Sequence, residues 1–117
     1  MTTADLAKAF TELLKTGQHE EAAQKFNSPD IVSLEAMEGP MARVQGTAAV
    51  KAKSDWFYNA HEIHSASAEG PFVNGDQFSV LFNMDVTTKE TGQRMAMQEV
   101  GLYTVKDGHI VEEKFFY

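Results

Sequence analysis

The chain has 117 residues, 43% hydrophobic and 23% charged, with 17 acidic side chains against 10 basic ones and a net charge of −7. That length holds one domain with a real core, and the acidic balance leaves no basic patch for phosphates, which excludes nucleic acid or an anionic membrane as the main partner. No apolar run is long enough to cross a bilayer, MTTADLAKAF lacks a secretory layout, and the absence of cysteine removes disulfides and thiolate chemistry, so a single cytoplasmic domain over 1–117 is expected.

In chain order, TTADLAKAFTELLKTG repeats apolar side chains at Leu6, Phe10, Leu13 and Leu14, which is helical spacing. Thr3 or Asp5 is placed to cap its start and Gly17 its end. HEEAAQKF makes a short second helix closed by Asn27-Ser28-Pro29. Ile31 to Met37 reads as a first strand, GPMARVQG as a loop or irregular hairpin, and Thr47 as the cap of a third helix, AAVKAKSDWFYNAH. From Glu62 the apolar period becomes two, predicting strands over Glu62–Val73, Gln77–Thr88, Gln93–Lys106 and His109–Tyr117. Their turns carry the residues tight turns need, and Gly70-Pro71 predicts a bulge or bend. Helices first and hairpins after is an α+β pattern: a curved antiparallel sheet with helices on one face and a pocket on its concave side.

The last strand sets two glutamates, Glu112 and Glu113, side by side, so they point to opposite faces. A two-residue Asp107-Gly108 turn would place Glu112 on the face of Tyr103. A three-residue loop Lys106-Asp107-Gly108 would pair Tyr103 with Val111, Gly101 with Glu113, Glu99 with Phe115 and Met97 with Tyr117. The set Val111, Glu113, Phe115, Tyr117 is the more apolar, so the three-residue loop is preferred and Glu113 is expected inside. The same parity turns Met95, Met97, Glu99, Gly101 and Tyr103 inward, opposite Phe78, Val80, Phe82, Met84 and Val86. Ile31, Ser33, Glu35 and Met37 share one face of the first strand.

Three carboxylates, Glu35, Glu99 and Glu113, are therefore expected on one apolar interior. Removal from water and like-charged neighbours both disfavour their ionised forms, which suits proton transfer near neutral pH. Taken singly, each could instead pair with Arg43, Arg94 or a tyrosine hydroxyl, or sit wet at the rim. His61-Glu62-Ile63-His64 lacks the H-E-x-x-H spacing of zinc hydrolases, and no metal site is expected. His61 could reach the pocket mouth as a base or donor. Phe57 lies at helical spacing from Val50 and reads as core, leaving Trp56 or Tyr58 for an entrance or an oligomer contact. Four of the methionines suit an adaptable apolar lining.

The order helix, helix, strand, helix and long hairpins, the glycine before the third helix in VQGTAAVKAK, and the closing VKDGHIVEEKFFY resemble the nuclear-transport-factor-2-like superfamily. Within it the chain most resembles SnoaL-like and ketosteroid-isomerase-like proteins, over essentially its whole length. The resemblance implies a cone-shaped α+β barrel, its curved antiparallel sheet wrapped around the N-terminal helices, with an internal cavity and usually a homodimer. It covers isomerases, cyclases, dehydratases, epoxide hydrolases and non-catalytic binders. It places Glu35 at the isomerase's catalytic carboxylate, Phe10 where a tyrosine donor stands, and Gly101 where a neutral acid donor stands. A protonated Glu113 or the Tyr117 hydroxyl could replace the lost donor.

The expectation is thus a domain that binds a small apolar, oxygenated molecule, with Glu35, Glu99 and Glu113 as catalytic candidates and Glu35 moving a proton without metal or redox cofactor. The alternative is a non-catalytic binding or dimerisation module. The expected lining is Phe10, Met37, Val80, Phe82, Met84, Met97, Gly101, Tyr103, Phe115 and Tyr117, with Trp56, Tyr58 and His61 toward the mouth. The outer face of the penultimate strand, through Ala96, Gln98, Val100, Leu102 and Thr104, suits pairing with a second copy of the chain.

Overall fold

A computed structural model describes residues 1–117. Helix α1, Thr3–Lys15, starts on a capping box: the Thr2 hydroxyl accepts from the Asp5 N–H at 3.1 Å and the Asp5 carboxylate from the Thr2 N–H at 3.2 Å. Thr2, rather than Thr3 or Asp5, is the cap. The helix buries Leu6, Ala7, Phe10, Thr11 and Leu14. Helix α2, His19–Phe26, buries Ala22 and Phe26 and runs straight into strand β1, Asn27–Leu34. The strand therefore begins and ends earlier than the predicted Ile31–Met37. Pro29, which has no N–H to give a ladder, falls within the register break between Asn27 and Val32 rather than before the strand.

The GPMARVQG stretch contains strand β2, Arg43–Gln45, which pairs antiparallel with Val32–Leu34. Helix α3, Thr47–Ala60, follows with Gly46 at its cap position (φ 92°) and no side-chain cap, so Thr47 is inside the helix. Four strands complete the chain: β3, His61–Asn74; β4, Gln77–Thr88; β5, Arg94–Lys106; and β6, His109–Phe116. β3 slips register against β4 at His64 and, as predicted, at Gly70-Pro71. No helix is long and apolar enough to cross a membrane.

The sheet runs in the order β2-β1-β6-β5-β4-β3. The α+β architecture of helices on a curved sheet is the expected one, and it differs from expectation in two details. β1 and β6 pair parallel, so the sheet is mixed, and β2 and β3 remain free edges, so it does not close into a barrel. A parallel pair needs a long crossover, and here α3 and the hairpins β3 to β5 supply it. α1 lies against β3 and β4, while α3 lies against β1 and β2.

The β5–β6 hairpin differs from expectation in a way that matters for the site. Its turn has two residues, Asp107 (φ 53°) and Gly108 (φ 76°), between paired Lys106 and His109. Positive φ at both central residues matches the right-handed strand twist better than the looser loop does. Val105 pairs with Ile110, but Thr104 pairs with Glu112, so Val111 is an extra residue in β6. Beyond that bulge Tyr103 faces Glu113 and Gly101 faces Phe115, two residues away from the predicted partners. The parity is nonetheless the predicted one, and Glu113 shares the face of Tyr103.

Phe10 sits at the centre of the core. Its ring lies 6.2 Å from Phe26, 5.8 Å from Phe78 and 5.0 Å from Tyr103, each edge-on, while Tyr103 stacks on Phe78 at 4.9 Å. These four rings fasten α1 and α2 to β4 and β5. Phe10 and Val80, expected to line a pocket, are core residues here.

Candidate functional site

The site is a seam between α3 and the inner face of β1, β6 and β5. Val50, Lys53 and Phe57 recur at helical spacing on α3, and Val50 and Lys53 are buried. Lys53 is only 9% exposed, and an ammonium in that position needs partners. It donates to the Ser33 hydroxyl at 2.5 Å and pairs with the Glu35 carboxylate at 3.0 Å. Its Nζ also lies 5.3 Å from the centre of the Phe115 ring.

Glu35 stands one residue past the end of β1, where its N–H donates to the Ala42 carbonyl at 2.9 Å. Ser33 is fully buried and pairs with Glu113 across the β1–β6 ladder, which sets its hydroxyl beside the Glu113 carboxyl. Burial pushes the Glu113 carboxyl up to about 7. The charge of Lys53 and the Ser33 hydroxyl oppose the rise, and Glu35 and Glu99 add to it.

Glu99 pairs with Phe82 on the β4–β5 ladder. Burial pushes it to about 7 as well, with Glu35 raising and Lys53 lowering it. Tyr103 is sealed among Phe10, Phe78 and Phe115, and burial together with Glu113, Glu99 and Tyr58 holds its hydroxyl well above the usual phenol range. It stays protonated and can act only as a donor toward a developing negative charge. A Cβ added at Gly101 would meet the Tyr103 Oη at 2.9 Å and the Phe82 ring at 3.1 Å. The side chain absent at 101 is thus replaced in space by the neighbouring tyrosine hydroxyl.

The remaining expected residues divide. Phe115 is part of the seam through Lys53 and Tyr103. Tyr58 leans toward Glu99 from α3; burial and that charge raise its hydroxyl. Tyr117 is 55% exposed, with its hydroxyl beside Glu35 and the Met37 backbone. Met37 itself is 63% exposed because β1 ends three residues before it, and Trp56, 54% exposed, turns outward against His61. Neither lines the seam. His61 stacks on Phe57 at 4.4 Å and its Nδ1 bonds the Phe57 carbonyl at 2.8 Å, closing α3. His64 bonds Thr87 across to β4 at 2.7 Å, so the two imidazoles serve different elements, and no three His, Asp or Glu side chains are grouped to hold a metal ion. Met84 and Met97 face each other one inward pair beyond Phe82 and Glu99, and a depression of ≈ 460 Å³ beside them is lined mostly by outer-face residues such as Asn83, Asp85, Ala96 and Gln98, with none of Glu35, Glu99 or Glu113 in it.

Sequence reasoning missed Lys53 and Ser33. The signal was present for the lysine: on α3 it shares the apolar face with Val50 and Phe57, where a charge has no reason to be unless it is paired. Ser33 gave no such signal.

The comparisons with known proteins agree with this fold. A family model described as a SnoaL-like domain matches residues 1–117. Among solved structures, a Mesorhizobium loti protein provisionally described as a SnoaL-like polyketide cyclase, with carbohydrate phosphatase given beside it, is 58% identical, with 100% of both chains covered and a TM-score of 0.97. A Xanthomonas campestris protein of unknown function with a cystatin-like fold is 22% identical over 99% of this chain and 90% of its own, with a TM-score of 0.78. An NTF2-like protein of unknown function from Burkholderia pseudomallei is 15% identical over 100% and 92%, with a TM-score of 0.74. At those lower identities the likeness is one of fold. No protein of curated function matches the chain in sequence.

Two outcomes follow from the geometry. Glu99 and Glu113 bind protons more tightly folded than unfolded, so their contribution to stability is fully present below pH 4.5 and is lost as pH rises through about 7. Thermal melts should show a loss on the order of 2–4 kcal/mol between pH 5 and pH 8 for the coupled pair. The double variant Glu99→Gln, Glu113→Gln should flatten the slope; a flat wild-type profile would mean solvated carboxylates. Separately, Gly101→Ala must displace the packed Tyr103 ring, and urea denaturation should register a cost of about 1–3 kcal/mol.

Proposed function

This chain belongs to the SnoaL-like family, and on that footing we propose that it is an enzyme that moves a proton within a small, mostly apolar, oxygen-bearing molecule by the acid–base chemistry of its own side chains. One observation carries the reading: two carboxylates in one apolar seam, both held near pH 7, beside a tyrosine hydroxyl that stays protonated. With both carboxyls at about 7, each is present at neutrality in both forms, so an ionised base and a protonated acid are both available in the seam. The ionised member takes a proton from the carbon beside a carbonyl. The Tyr103 hydroxyl, or the protonated member, donates to the oxygen on which negative charge grows. Return of the proton to another carbon is isomerisation, and attack of the enolate carbon on a second carbonyl is cyclisation.

In this reading Glu35, expected to be the proton shuttle, is the counter-ion of Lys53. The cyclase description of the Mesorhizobium relative accords with it, since closing a ring on a polyketone begins with removal of such a proton. The phosphatase description accords less well. Three carboxylates around an ammonium already paired would repel a phosphate monoester.

Deuterium exchange at C1 of 2-tetralone in D₂O, followed by proton NMR, tests the proposal. The wild-type chain should accelerate exchange over buffer, with the rate rising up to about pH 7 and then levelling. Glu113→Gln and Glu99→Gln should each slow it by about 10²-fold or more. Binding of the ketone without acceleration would make the chain a non-catalytic binder.

We also propose that two copies pair through the outer sheet face. Val100 and Phe116 are partners there, flanked by Leu81 and Leu102, and Phe72 stands on the same face opposite Ser79. Exposures of 45% at Phe116 and 62% at Phe72 leave an apolar surface that a self-complementary contact would cover. Light scattering at micromolar concentration should give twice the 13.0 kDa chain mass, and Phe116→Asp should return it to one. A monomeric wild type would reject the pairing.

A further inference from the structure

A lysine and a serine buried in contact first suggest an acyl-transfer pair, in which the amine would take the serine proton. The geometry argues otherwise. The lysine is ion-paired with Glu35 at 3.0 Å and already donates a proton to the serine oxygen, so it is an ammonium with no lone pair to take the serine proton. What the two groups do touch is the carboxylate system. The serine oxygen accepts from Lys53 at 2.5 Å, which leaves its one proton free to be donated, and Glu113 is its partner across the parallel β1–β6 pair.

We propose that Lys53 and Ser33 form a positioning relay for Glu113: the ammonium, anchored by Glu35, fixes the serine hydroxyl so that its proton points at the Glu113 carboxyl and holds that carboxyl in the seam beside Tyr103. The charged and titratable groups facing Glu113 are Lys53 from α3, Glu35 from the end of β1, and Glu99 and Tyr103 from β5. Lys53 is the one cation among them, and Ser33, hydrogen-bonded to Lys53, stands beside Glu113 as its partner across the ladder. Lys53 also acts on Glu99, whereas of the two carboxyls Ser33 acts on Glu113 alone. The two residues therefore have separable effects. The assignment of Glu113 as a proton-transfer group rests on the function proposed above, but the relay is readable without any turnover.

The test is a carboxyl-carbon NMR titration of Glu35, Glu99 and Glu113 in the folded wild-type chain and in Ser33→Ala, Ser33→Thr and Lys53→Met, with circular dichroism as the check on folding. Ser33→Ala should move the Glu113 midpoint upward by about half to one pH unit and leave Glu99 in place. Lys53→Met should raise both, and Ser33→Thr, which keeps the hydroxyl, should restore the wild-type curve. In the 2-tetralone assay Ser33→Ala should lose about two- to fivefold in rate at pH 7 and largely recover by pH 8.5, since a base of higher affinity for protons is freed at higher pH. A folded Ser33→Ala chain with an unmoved Glu113 midpoint overturns the relay, as does a shift shared equally by Glu99. Should Lys53→Met fail to fold, the Ser33 pair of variants decides alone. Absence of exchange in the wild type would strike the catalytic reading while leaving the titration to judge the relay.

Discussion

Glu112 and Glu113 are adjacent on a strand, and whichever of them faces the helices fills the interior, because side chains alternate strictly across a sheet. With a two-residue turn at Asp107-Gly108 and an unbroken ladder, that residue would be Glu112. The extra residue Val111 reverses the outcome. From this one-residue offset follow the pairing of Glu113 with Tyr103 on one side and with Ser33 on the other, and the placement of Phe115 beneath Lys53. The tight turn and the bulge together satisfy two demands that neither meets alone. The turn fits the strand twist, and the bulge restores the apolar set of β6 to the core face.

Within the seam the electrostatic balance is lopsided. One ammonium faces three carboxylates, and Coulomb attraction at close range in a poorly screened interior can hold only so much negative charge. Glu35 takes the lysine directly. The other two have burial against them and only distant or indirect help, which is why both remain near neutrality as acids rather than as fixed anions. A second lysine would have made an ordinary salt-bridge network and a more stable protein at pH 8. Its absence leaves protonatable carboxyls inside an apolar wall, the condition that general acid–base chemistry needs and that structural stability alone does not favour.

Much of this was legible before any coordinates. Turn residues and period-two strands give the four hairpin strands nearly to the residue, and the apolar parity of β4 to β6 gives the inward set, Glu99 and Glu113 included. What the sequence concealed was local. A bulge leaves no residue-type signature at Val111, so parity could be judged from hydrophobicity while the pairing itself came out two residues adrift. Asn27-Ser28-Pro29 reads as the close of the second helix and not as strand, because propensity carries no knowledge of a parallel neighbour that tolerates a gap. Met37 looked like lining because the strand was taken past its true end at Leu34. Lys53 was legible in principle and overlooked, since lysine on a helix ordinarily belongs to the solvated face.

The contact between Gly101 and Tyr103 shows how a glycine on a strand lets a neighbouring side chain bring its polar group over the vacant position. Residues two apart on a strand share a face, so a tyrosine at 103 can lay its ring along the sheet toward 101 only if nothing projects there. Glycine clears the path, Phe10 and Phe78 clamp the ring in place, and the hydroxyl arrives within 2.9 Å of where a side chain at 101 would begin. A phenol delivered this way is rigid, because the ring is wedged in the core instead of standing free on a short carboxyl stem. It also differs chemically from a protonated acid. It cannot ionise in the working range, so the donor is constant while Glu99 and Glu113 change state around it. In the proposed chemistry, the division of labour between a fixed donor and two titrating carboxyls is then set by packing at a glycine, without a third acid whose protonation would have to be defended against two like-charged neighbours.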